Sequence, residues 1–101
     1  MADIKSIENN LYLLYSYLRD NGFVSQSQKL LHLFKDINED FSKFKNEIQN
    51  ENFWIGTNSV LDIDIRRDSH IKEFKEYMTL FLFSLRKNEI DYPNFLNKYI
   101  I

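Results

Sequence analysis

Apolar residues recur at spacings of three and four in two long stretches, and this restricts the chain to a helical architecture more than any other feature. Ile4, Ile7, Leu11, Leu14 and Leu18 share one helical face, as do Ile71, Phe74, Met78, Phe81 and Leu85. Asp3 can cap the first helix and Asn21-Gly22 can stop it, while Ser69 can open the second, over about 69–87. Tyr12, Leu13, Tyr15 and Tyr17 in the first, and Tyr77, Leu80, Leu82 and Phe83 in the second, spread apolar surface beyond one stripe. Helices this apolar bury more than one side or sit in an interface. The two are therefore expected to pack together as the centre of the fold, with dimerisation a further option for Tyr12 and Tyr15.

Between them, Leu30, Phe34, Ile37, Phe41, Phe44 and Ile48 keep helical spacing, with Ser25 or Ser27 as a plausible cap. Asp36 to Asp40 is rich in side chains that compete with helical backbone bonds. Two helices are predicted, about 25–36 and 39–49, with Asn38 capping the second; one bent helix is the alternative. From Asn50 to Ser69 the helical period fails. Leu61, Ile63 and Ile65 alternate with Asp62, Asp64 and Arg66, which suits a short strand, a hairpin with residues 53–55, or an extended loop pinned by its apolar side. Pro93 can open a last short helix over Asn94 to Tyr99. The expected fold is all-α: a single domain over 1–101, a small bundle of four to five helices with one irregular or short β segment at about 53–65.

Composition allows this. A chain of 101 residues makes about one domain, and a domain of that size buries roughly 60–65% of its unfolded surface. With 44% hydrophobic residues it can fill a core. The chain contains no Cys, so thiol nucleophiles, thiolate metal sites and disulfides are excluded. The first ten residues carry acidic side chains and no apolar run, unlike a signal peptide. The longest apolar stretch, Tyr77 to Leu85, lies between Glu76 and Arg86, short of the roughly 20 residues a membrane span needs. A soluble, cytoplasmic protein is expected. The net charge of −2, with Arg66-Arg67 flanked by Asp64 and Asp68, argues against direct nucleic-acid binding.

Residues that could carry chemistry are few. His32 stands four before Asp36 and His70 three before Glu73, but a metal site needs three or four converging ligands. No Gly-x-Ser-x-Gly is present, and Gly56 alone cannot form a phosphate-cradling loop. No enzyme, cofactor or metal is expected. Asp62 and Asp64 would share one face of a strand, which suits a solvated edge, a cation, or recognition of a basic partner. Trp54, between Phe53 and Ile55, is either a core residue or an interface anchor.

The segment Gly56-Thr57-Asn58-Ser59-Val60-Leu61-Asp62-Ile63 resembles a glycine–serine–apolar–aspartate signature of small bacterial helical proteins, with Asn58 where those carry a second glycine. Some of these proteins are similar to immunity proteins encoded beside secreted polymorphic toxins. The resemblance implies a non-catalytic inhibitor that presents carboxylates to a basic toxin domain. Complementary charge would speed that encounter and select the partner. The partner-binding candidates are Glu39, Asp40, Glu47, Glu51, Trp54, Asp62 and Asp64. The alternative is a small helical scaffold or regulatory subunit, monomeric or dimeric.

Overall fold

The computed structural model describes residues 3–55 and 68–100. Five α-helices and a terminal 3₁₀ helix follow in order: α1 (Ile4–Asp20), α2 (Val24–Glu39), α3 (Phe41–Gln49), α4 (Glu51–Trp54), α5 (Asp68–Lys87), then Asn94–Tyr99 in 3₁₀ form. The fold is all-α, with six helical elements among the described residues rather than four to five. The expected hairpin over 53–55 is replaced by helix: Phe53 and Trp54 complete the single turn of α4, whose N-cap Asn50 accepts a hydrogen bond from the Asn52 N–H. The rest of the predicted β segment, the signature from Gly56 to Ile63, and Asp62 and Asp64 lie outside the described residues.

α1 is the central element, packed on α2 along one side and on α5 along the other. Its five predicted stripe residues face inward, four of them fully buried and Ile4 partly. Tyr17 extends the buried side toward α5, its ring 5.3 Å from Tyr77 and 6.3 Å from Phe74. On the opposite flank Tyr12 and Tyr15 meet the Phe34 ring of α2 edge-on. From α5, Phe74, Met78, Phe81, Leu82 and Leu85 complete the core with Leu30, Leu33 and Ile37 of α2 and Phe44 and Ile48 of α3.

The helix ends are set by local chemistry. Asp3 caps α1 by accepting from the Ser6 N–H. At the other end the Phe23 N–H reaches the Leu18 carbonyl and the Gly22 N–H that of Arg19, with Gly22 at φ +87°. This closure satisfies two orphan carbonyls and needs a left-handed residue at its corner. α5 ends the same way, Ile90 N–H on Leu85 and Glu89 N–H on Arg86, but the left-handed corner is Glu89 at φ 59°. α5 begins at Asp68, one residue before the expected Ser69. The 3₁₀ helix follows Pro93 and is pinned back to α5 by Arg86, which donates to Tyr92 Oη (2.7 Å) and Asn97 Oδ1 (2.8 Å).

Candidate functional site

The α2–α3 boundary falls at Asp40, not at the predicted Asn38. Asn38 stays inside α2, its amide donating to the Phe34 carbonyl four residues back. Neither Ser25 nor Ser27 caps α2; it starts at Val24, and the Ser27 hydroxyl donates to the Val24 carbonyl. Asp40 takes an extended conformation at φ −151° while its own N–H closes the last turn of α2 on Asp36. Its carboxylate accepts from the Lys43 N–H at 3.2 Å and so starts α3. One residue therefore ends one helix and begins the next.

The break folds a stripe of polar residues into a cleft. His32, Asp36, Asp40, Lys43 and Glu47 follow one another at spacings of four, four, three and four, and a sharp bend between α2 and α3 turns them toward each other. With Lys35 and Glu39 they line a cleft of about 460 Å³. Four carboxyl groups face two lysines in this lining. Lys43 Nζ lies 3.8 Å from Asp36 Oδ1, linking α3 to α2, and Lys35 Nζ lies 4.0 Å from Glu39 Oε2 on the exposed rim.

Asp36 is the most buried of the four, at 8% exposure, and the half-buried Glu47 of α3 lines the same cleft. Burial, followed by the hydrogen bond to Asp36 and its charge, holds the Glu47 carboxyl above the usual carboxylate range. Lys43 and His32 pull in the opposite direction and do not cancel it. The cleft thus carries more carboxyl groups than its two lysines can neutralise.

Of the partner-binding candidates, the structure gathers Glu39, Asp40 and Glu47 around this one cleft and leaves Glu51 exposed on α4, outside its lining. Trp54 is fully buried, which assigns the ring to the core and not to an exposed anchor position. Its indole N–H donates to the Ile48 carbonyl at 2.9 Å, and its ring sits 5.1 Å from Phe53 and 6.4 Å from Phe81. Sequence reasoning missed the central role of Asp36. The signal was there: it stands four before Asp40 and eleven before Glu47, the same helical face across the break. Among the described residues, no three His, Asp or Glu side chains converge as metal ligands, and no helix is long and apolar enough to cross a membrane. No family model, curated protein or solved structure matches the chain.

Proposed function

We propose that this protein is an inhibitor of the immunity type, which binds a basic toxin domain and neutralises it without chemistry of its own. The observation that carries the reading is the under-neutralised acidic cleft at the α2–α3 break. Glu39 and Asp40 stand exposed on its rim, where they would meet an approaching cationic surface first. Asp36 and Glu47 lie deeper, where an incoming Arg or Lys would add the positive charge that the cleft's own lysines do not supply. Rim carboxylates steer association, whereas desolvated pairs slow dissociation. Asp62, in the signature segment, and Asp64, just after it, are further contacts in the same proposal.

The test is titration calorimetry and stopped-flow binding of the full chain against the toxin domain encoded beside its gene, across a salt series. Glu39→Gln with Asp40→Asn should slow association and flatten its salt dependence; Asn preserves the α3 cap. Absence of such a neighbouring toxin, or no binding to it, overturns the function. Binding with unchanged rate and salt dependence in the variant overturns the site. The second reading, a small self-associating scaffold, is favoured by one observation: Leu80 and Phe83 of α5 are large apolar side chains left nearly half exposed.

A further inference from the structure

The outward face of α5 carries Glu76, Leu80, Phe83 and Lys87 at spacings of four, three and four. These positions form one stripe along a helix, and all four are exposed, Leu80 at 46% and Phe83 at 47%. Leu13 of α1 is also a large exposed apolar side chain, at 42%. The Asn10 amide donates to the Leu80 carbonyl and Tyr17 packs on Phe74 and Tyr77. α1 therefore runs antiparallel to α5, and Leu13, between Asn10 and Tyr17, lies on the stretch of α1 that passes Tyr77 to Leu80. Apolar side chains clustered on one face in this way mark an interaction surface more than scattered ones do.

The stripe reads the same from both ends in shape and opposite in charge. A two-fold axis passing between Leu80 and Phe83 exchanges these two residues and also exchanges Glu76 with Lys87. We infer that this face binds a second copy of the chain, α5 against α5 in antiparallel orientation, with Leu80 of each copy on Phe83 of the other and Glu76 of each beside Lys87 of the other. An isologous contact requires such self-complementarity. A parallel pairing would set Glu76 on Glu76 and Lys87 on Lys87. In the antiparallel pairing the two Glu76 side chains are about 16 Å apart along the axis, at 1.5 Å per residue, and are screened from one another.

Phe83 is also held ready. The Arg86 guanidinium lies 5.6 Å from its ring centroid and is itself fixed by Tyr92 and Asn97. An aromatic anchor ordered before contact loses less freedom on binding. Leu80 and Phe83 from each copy with two rim ion pairs make a small interface of the transient class, so weak association is expected. Tyr12, on the opposite flank of α1 against Phe34, takes no part.

Sedimentation velocity of the full chain over a concentration series tests this, with circular dichroism as the control for folding. Dimerisation is expected, lost in Leu80→Asp and in Phe83→Asp and retained in Tyr12→Ala. Glu76→Lys alone and Lys87→Glu alone should each weaken the dimer about threefold to tenfold, and the double exchange should restore it because the pairs re-form with signs reversed. A monomer at every concentration overturns the inference, including one destabilised by Leu80→Asp, which would mean that the face is covered within the chain. A dimer indifferent to Leu80→Asp overturns the face, and failure of the double exchange to restore overturns the antiparallel register.

Discussion

Replacing Trp54 decides whether its ring belongs to the fold or to a partner, and the structure sets the size of the effect. The side chain is fully buried and bridges α4 to Phe81 of α5. Truncation to Ala removes these contacts and leaves a cavity, at about 3–5 kcal/mol for a core Trp. It also strips the Ile48 carbonyl, in the last turn of α3, of the indole N–H. Trp54→Phe separates the two contributions. A ring remains while the donor is lost, and a buried acceptor left unmade costs about 1–3 kcal/mol. Trp54→Phe should therefore cost about 2 kcal/mol, and Trp54→Ala should remove at least about a fifth of the 5–15 kcal/mol typical of a domain. Equilibrium urea unfolding followed by far-ultraviolet circular dichroism is the right assay, since Trp54 is the chain's only Trp and both variants lose its fluorescence. A cost below about 1 kcal/mol for Trp54→Ala, with the spectrum unchanged, would refute the packing argument and return the ring to the partner surface.

The remaining predictions concern the cleft and the helix ends. Because burial and Asp36 hold the Glu47 carboxyl above its ordinary value of 4.5, the folded protein binds more protons than the unfolded chain just above that pH. The contribution of Glu47 to stability is therefore greatest at acid pH, falls as pH rises through the folded pKa, and is least at neutrality. Glu47→Gln should raise the neutral urea midpoint and flatten the pH dependence above 4.5; a lower midpoint at neutrality would show that the carboxylate is stabilised by Lys43 instead. At the two matching helix ends, Gly22→Ala should cost about 1 kcal/mol and Glu89→Gly should gain a similar amount, since a left-handed corner penalises any Cβ. No atom crowds a Cβ at Gly22, so a larger loss there, measured by thermal unfolding, would point to a contact other than backbone strain.

The parts of the fold legible in the sequence are those where one rule dominates. The α1 stripe, Asp3 at its start and Asn21-Gly22 at its end agree with one another, and the helix forms as spaced. Pro93 ahead of Asn94–Tyr99 is similarly direct, although six residues close as 3₁₀ rather than α. The α2–α3 boundary was harder because Asp36, Asn38 and Asp40 are all candidate breakers. Local capping decided among them: the Asp40 carboxylate accepts from the Lys43 N–H, while Ile37 before the break and Phe44 after it both stay buried. The turn at Phe53-Trp54 was hidden for a related reason. Phe53-Trp54-Ile55 carries no helical period because a single turn is too short to show one, and what fixes it is a long-range contact with Phe81 that local pattern cannot express.

The candidate site was legible as a list and illegible as a place. Glu39, Asp40, Glu47 and Glu51 are all acidic and nearby in sequence, yet three line one cleft and the fourth does not. Charge alone gives no reason for the difference; the bend at Asp40 does, by turning the faces of α2 and α3 that carry positions 36, 40, 43 and 47 inward on each other. Asp36 was passed over because its His32 spacing suggested a metal, a question about ligand number, whereas its importance comes from being the buried carboxyl against which Glu47 must pack. The α5 stripe is the converse case. Leu80 and Phe83 counted in the sequence only as surplus apolar surface on a helix expected to be central. Among the described residues, α1 and the 3₁₀ helix pack on other flanks of α5 and leave this one exposed. The 4-3-4 pattern with opposite charges at its ends then becomes a statement about what can lie against it. If the acidic cleft is the toxin-binding surface, the α5 stripe on a different helix leaves it open, so dimerisation would bring two clefts to a partner and not close one. The acidic variant Glu39→Gln with Asp40→Asn should therefore leave the dimer intact, and coupling between the two surfaces in that experiment would require the bend at Asp40 to communicate with α5 through the shared core.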